Sequence, residues 1–137
     1  MRSDASPELF DLLARLHGHR CPMSILGARL GLAAVEALAP LPDRKRRGRY
    51  LHRTCALDGV QVTTGCTLGN GNLEVVPRGR HRLELGLEGE PLRVAAELTE
   101  EALARGRAWL EAGRDEAILR ALERCDPDEI LRVERIG

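Results

Sequence analysis

Gly18 and Pro22 bracket the segment 17-HGHRCP-22, and between them they oblige the chain to end one helix and begin another. Glycine takes the left-handed backbone that closes a helix. Proline, with φ already fixed and no amide to donate, suits a helix's first turn. The preceding stretch, SPELFDLLARLH, carries matching start signals: Ser6 as N-cap, Pro7 at the first helical position and Glu8 at the positive dipole end. Leu9, Leu12, Leu13 and Leu16 recur at helical spacing and define one buried stripe. The following stretch, PMSILGARLGLAAVEALA, reads as a second helix stopped by Pro40 and Pro42, with Gly27 and Gly31 spaced to let a neighbour pack closely. Cys21 then falls at or near the N-cap of that second helix.

Past these helices the pattern turns to strands. DRKRRGR is a basic run that reads as a solvated loop, and RYLHRTC as a strand. DGVQVTTG is ambiguous: its β-branched residues favour a strand, while Asp58 suits the cap of a short helix. CTLGNGN is a tight loop in which Gly69 and Gly71 can supply positive φ. NLEVVP, HRLELGLE and PLRVAAEL form three strands with turns at RGR and EGE. TEEALARGRAWLEAG, capped by Thr99 and closed by Gly113, returns to helix. DEAILRALERC is another helix, and DPDEIL opens a short helical turn before VERIG. The expectation is one α+β domain over residues 1–137: N-terminal helices, a central antiparallel or mixed sheet, and C-terminal helices.

Composition removes whole classes of function. Lys plus Arg and Asp plus Glu number 21 each, so the formal net charge is zero, against the basic excess of a nucleic-acid or membrane-surface binder. Phe10, Tyr50 and Trp109 are the only aromatic residues, too few to stack single-stranded bases. No apolar run approaches membrane-spanning length and MRSDASPELF lacks a signal-like apolar region, so a cytoplasmic location is expected. In that reducing compartment Cys21, Cys55, Cys66 and Cys125 read as thiols or metal ligands rather than disulfides.

Ligand-type chemistry is concentrated in HGHRC. The dipole and free amides of a helix start favour a thiolate at Cys21, His19 sits in the corner, and His17 hangs from the last turn of the first helix. Sulfur with imidazole is the set that zinc and similar ions select. A chance His-x-His beside a packing cysteine would look the same. In 55-CALDGVQVTTGC-66, Cys55 ends a strand and Cys66 opens the glycine-rich loop, with Asp58 and Gln61 between them. The two cysteines are too far apart for a CxxC redox pair or a zinc knuckle. Cys55 alone reads as a small buried residue, and GNGN, without a P-loop lysine, as a turn rather than an anion cradle. Cys125 reads as core, and His52 and His81 as exposed.

HGHRCP, CALDGVQ and GCTLGNGNL, in that order and spacing, resemble the FmdE family, named for the E-subunit of formylmethanofuran dehydrogenase, whose pattern runs HGH-x-CPG, C-x-x-DAVQ and TGCT-x-GxGNL. Met23 stands where the family usually has glycine, and Gly59 where it usually has alanine. The resemblance implies an α+β core, usually homodimeric, with a metal site, typically zinc, in a cleft formed by these motifs. It implies metal ligands at His17, His19, Cys21, Cys55 and Cys66, with Asp58 and Cys66 as catalytic candidates. It also favours a helix for DGVQVTTG. No cysteine-rich finger of the kind some members append occurs in these 137 residues, so the chain reads as the bare core domain.

Three functions compete. The first is a metal-binding domain with an open coordination position, in which His17, His19, Cys21 and Cys66 supply about three ligands and Asp58 orients a histidine or takes a proton. It would act as a metal-dependent enzyme or as an accessory factor to a molybdenum or tungsten enzyme. The second is a non-catalytic dimeric accessory protein with a structural metal. The third is metal-free chemistry at Cys21 or Cys66 as nucleophile.

Overall fold

In the computed structural model, which describes residues 6–38 and 45–137, α1 (Pro7–His17) closes on Gly18, whose φ of 95° lets its amide reach the Ala14 carbonyl. Ser6 caps the other end by accepting from the Leu9 amide. α2 (Pro22–Ala37) starts from Cys21, whose sulfur accepts the Ser24 amide at 3.4 Å. The expected helix stops at Pro40 and Pro42 and the first residues of the basic run lie outside the described residues. Of the apolar stripe expected on α1, Leu13 is buried, joined by Phe10, while Leu12 and Leu16 stay exposed. α1 rests on α2 and on α3 (Ala56–Thr64) along one narrow line, so the flanks of its stripe remain outside.

α2 and α3 make the tightest join in the molecule, and glycines make it possible. A Cβ on Gly27 would stand 2.7 Å from the Ala56 Cα and carbonyl carbon, and one on Gly59 would stand 2.8 Å from the Gly27 carbonyl carbon. On Gly31 it would meet the Thr63 Cβ at 3.0 Å. Backbone therefore touches backbone. At position 59 the alanine usual in the resembling family would not fit this approach. DGVQVTTG thus lies in a helix despite its β-branched residues, because Val60 and Thr64 are buried. Local strand propensity is overridden by that packing.

Among the described residues the sheet has five strands in the order β2-β1-β3-β4-β5, with β1 (Arg46–Tyr50) parallel to β2 (Leu73–Val75) and the remaining neighbours antiparallel. Alternation sorts its faces. Tyr50, Leu83, Leu85, Val94, Ala96 and Leu98 are buried, the last five carried by β3 (Arg82–Leu87) and β4 (Arg93–Leu98). The other face is a lattice of arginine and glutamate: Arg49–Glu74 at 3.1 Å, Arg82–Glu84 at 3.2 Å and Arg80–Glu97 at 2.6 Å. The basic run is corrected here. RRGR is strand rather than loop: it pairs with β2 and β3, Arg49 meets Glu74 and Glu84, Arg47 meets Glu88 just past β3, and Arg46 donates to the Thr64 carbonyl, partners that a local reading of charge does not see.

Two further corrections concern ends. The strand expected at RYLHRTC stops at Tyr50, and residues 51–55 lead into α3. At the C-terminus, α4 (Glu100–Glu111) and α5 (Glu116–Arg124) form, followed by a 3₁₀ turn at Pro127–Glu129. The chain then ends in β5 (Leu131–Ile136), which pairs with β4 from Leu98↔Leu131 to Arg93↔Ile136. VERIG lies in a strand because β4 offers it an edge. The architecture is α+β, with helices before and after the central strands and one strand closing the order.

Candidate metal centre

The corner between α1 and α2 gathers His17, His19 and Cys21, whose ligand-type atoms all lie within 4.8 Å of one another. Each is placed by its helix. His17 sits on the last turn of α1, Cys21 caps α2, and His19 spans the two, its ring 4.5 Å from that of His17. Among the described residues this is the one group of three or more such side chains close enough to share an ion.

The α2–α3 join brings the second motif to this corner. Asp58, in the first turn of α3, holds His17 Nδ1 at 2.7 Å from its Oδ2. Gln61 donates to the other Asp58 oxygen at 3.2 Å, and its own Oε1 accepts the Leu68 amide at 3.0 Å. His17 Nε2 is buried with no hydrogen-bond partner. A buried ring nitrogen left without a partner is costly, and its opposite nitrogen is already engaged by a carboxylate. That pairing of a carboxylate on one nitrogen and a vacant lone pair on the other is how metal-bound histidines are commonly held. The residues present fit a cation.

Cys55 stands outside the group of three, just ahead of α3, and lines the same cleft as Cys21. Burial of the thiol, followed by the neighbouring Cys21 sulfur, pushes the Cys55 pKa up. The residue as a whole is exposed, in contrast to its sequence reading as buried.

Cys66 is not brought to this place. It follows the C-terminal end of α3, whereas Cys55 and Asp58 occupy the start, and a nine-residue helix is about 13 Å long. Its side chain is 1 % exposed in the hydrophobic core, 3.6 Å from where a Cβ on Gly48 of β1 would stand. Burial pushes its thiol up, offset in part by Thr64 and then by Arg46 and Arg47. The GCTLGNGN block instead reaches the centre through Gln61 and the Leu68 amide. Within that block Asn70 accepts from the Thr67 and Asn72 amides and donates to the Gly65 carbonyl, and Gly71 takes φ of 75°. The loop amides are thus engaged internally, as a turn rather than an anion cradle.

Sequence reasoning missed one residue at this site. The cleft on which His19, Cys21 and Cys55 open, about 850 Å³, is also lined by His81. His81 is half-buried rather than exposed: its ring lies 4.6 Å from that of His52, and its Nδ1 is 2.8 Å from the hydroxyl of fully buried Tyr50. Burial, and then His52, hold its pKa below 6.5. Burial, and then Glu97, push the Tyr50 hydroxyl up. No periodicity pointed to His81, because it sits just before β3 and lines the cleft through contacts with Tyr50 and His52 from other parts of the chain. Cys125 is partly buried against the core, and the Arg29 guanidinium donates to its carbonyl.

Known proteins resemble this chain over much of its length. The chain is 38% identical over 93 residues to a probable S-adenosyl-L-methionine-binding protein of Archaeoglobus fulgidus, a match covering 60% of this chain and 25% of that protein. The chain thus spans about a quarter of that relative's length. The crystal structure of a tungsten formylmethanofuran dehydrogenase FmdE-like protein from Syntrophus aciditrophicus superposes with a TM-score of 0.73 at 25% identity, covering 94% of this chain and 70% of that one. The model of the family described as FmdE, molybdenum formylmethanofuran dehydrogenase operon, matches residues 16–132, and the chain belongs to that family.

Proposed function

We propose that the protein is a metal-binding domain whose centre is open to its cleft, serving as a metal-dependent enzyme or accessory factor in a pathway linked to formylmethanofuran dehydrogenase. The observation that carries this reading is the buried, unpartnered Nε2 of His17, set beside His19 and Cys21 while Asp58 holds the ring from behind. His17, His19 and Cys21 would hold the ion, with Cys55 beside Cys21 as a fourth donor when no other ligand takes that position. Imidazole with thiolate selects zinc or a similar transition ion. Such an ion supplies Lewis acidity and lowers the pKa of bound water.

The chain's own residues do the remainder. Asp58 fixes the His17 tautomer, Gln61 fixes Asp58, and His81, uncharged at neutral pH, faces the cleft as a proton acceptor oriented by Tyr50. The exposure of Cys55 and the cleft beside it favour access over a saturated structural site. Cys66 is left out of the ligand set. The family's homodimeric assembly, and association with a molybdenum or tungsten enzyme, are proposed for this chain on the strength of membership. No helix of the described residues is long and apolar enough to cross a membrane.

Metal analysis of untagged protein, combined with thiol titration, tests the reading. One transition ion per chain is expected, with Cys21 and Cys55 protected from alkylation until a chelator is added. Cys21→Ser empties the site and Cys66→Ala leaves it filled. Protein without a stoichiometric transition ion, whose Cys21 and Cys55 are alkylated at the same rate with and without chelator, would refute it, and loss of metal in Cys66→Ala would restore Cys66 to the ligand set.

A further inference from the structure

The cleft beside the centre has a second wall that the metal ligands do not use. α4 turns Leu103, Gly106, Arg107 and Leu110 toward it, four positions on one helical face. Leu110, at its rim, is 62 % exposed. Gly106 weakens the helix, yet a Cβ there would meet nothing nearer than the 3.7 Å contacts to Met23 and Pro22. Packing does not demand that glycine; its missing side chain keeps the cleft open.

Charge gives the occupant its sign. Among the described residues no carboxylate lines the cleft, while Arg20, Arg107 and Arg114 do. Arg20 is engaged by Glu116 at 2.7 Å and Glu123 at 2.8 Å. Arg107 and Arg114 have no ion-pair partner among the described residues. Arg114 is also the one described non-glycine residue with positive φ, at 65°, and its guanidinium lies 6.0 Å from the Trp109 ring centre. Strained backbone under a long charged side chain is characteristic of positions where the side chain is used.

We infer that the cleft binds a small organic oxyanion beside the metal centre. A carboxylate or phosphate is held by Arg107 and Arg114, and an apolar body lies along Leu103, Trp109 and Leu110, with the far end toward His19 and Cys21. The inference rests on the metal reading for its inner end, and the two are measured separately.

Trp109 is the only tryptophan, so its fluorescence reports the cleft directly. Metal-loaded protein is titrated with hexanoate, hexyl phosphate and neutral 1-hexanol, with metal content measured on the same samples. One of the anions is expected to shift the emission saturably while hexanol does not. Arg107→Gln and Arg114→Gly are expected to weaken the response about tenfold or more, with metal content unchanged. Glycine adopts the backbone angle at position 114 without strain, so Arg114→Gly keeps the turn and loses only the guanidinium. Metal-loaded protein that gives no saturable response overturns the inference and leaves the metal reading intact. An anion response in protein that never binds metal overturns the metal reading and leaves the anion site. A response shared by hexanol, or surviving in both arginine variants, overturns the inference. So does a silent cleft whose Leu110→Asp variant turns a dimer into monomers, which assigns the cleft to a second copy.

Discussion

Replacing Gly27 by alanine sets two physical effects against each other with opposite sign. Position 27 is inside α2, where alanine is favoured over glycine by about 1 kcal/mol on helix propensity alone. The added methyl, however, would stand 2.7 Å from backbone carbon atoms of Ala56, where ordinary contact begins near 3.4 Å. Backbone cannot rotate out of the way as a side chain can, so α3 must retreat by roughly 1 Å. Overpacking of this kind costs about 1–3 kcal/mol, and the upper part of that range applies where both partners are helix backbone. The net expectation is destabilisation by about 2 kcal/mol. The same retreat would draw Asp58 from its 2.7 Å contact with His17 and Cys55 from Cys21, so metal affinity falls with stability. Urea unfolding of metal-free protein followed by circular dichroism gives the first quantity, and competition against a zinc-binding dye gives the second. Gly106→Ala is the control: with 3.7 Å of room it shows the propensity gain alone, about 0.5–1 kcal/mol of added stability. A Gly27→Ala protein as stable as wild type, or more so, would refute the claim that backbone contact between α2 and α3 positions the centre.

Asp58→Asn removes the charge behind His17 while keeping the shape, and metal affinity is expected to fall about 10- to 100-fold by the same dye competition. Arg29 is 7 % exposed and donates to the Leu122 and Cys125 carbonyls at 2.7 and 2.6 Å, closing the C-terminal end of α5. Arg29→Met leaves those carbonyls unsatisfied and is expected to cost about 2–4 kcal/mol in thermal or urea unfolding, with the loss of amide-exchange protection concentrated in α5. Arg29→Lys, lacking the fork, is expected to recover only part of it. His81 titrates below 6.5 when folded because burial and His52 disfavour its charge. The fold therefore prefers the neutral ring. That contribution to stability is complete above the unfolded value near 6.5 and is lost as pH falls through the lower folded value. His81→Gln is expected to flatten the stability–pH curve in that window, and NMR titration of the His81 ring in wild type checks the direction.

Much of the local structure was legible because its signals are short-range. Ser6, Gly18, Thr99 and Gly113 sit at the helix ends their chemistry suggested, and three of the strands appear where alternation and turns placed them. What failed was whatever depends on a distant partner. RRGR joins the sheet because Glu74, Glu84 and Glu88 lie on adjacent segments to receive its arginines, and VERIG because β4 has an open side. At the site, the proximity of His17, His19 and Cys21 followed from a glycine and a proline four residues apart. Cys66, expected there from the family resemblance, lies past the opposite end of α3 from Asp58 and outside the group of three, because a helix turns sequence separation into distance along its axis.

The sequence by itself determined the corner: which helices meet there, which residue caps the second, and that two imidazoles and a thiol share one turn of chain. Tertiary structure alone decided what stands behind and across from that corner. Gly27, Gly31 and Gly59 let two helices touch, which carries Asp58 against His17 and Cys55 to the cleft that His81 also lines. Caps and breakers act through bonds a few residues long, while the approach of one helix to another depends on the absence of side chains at positions far apart in the chain.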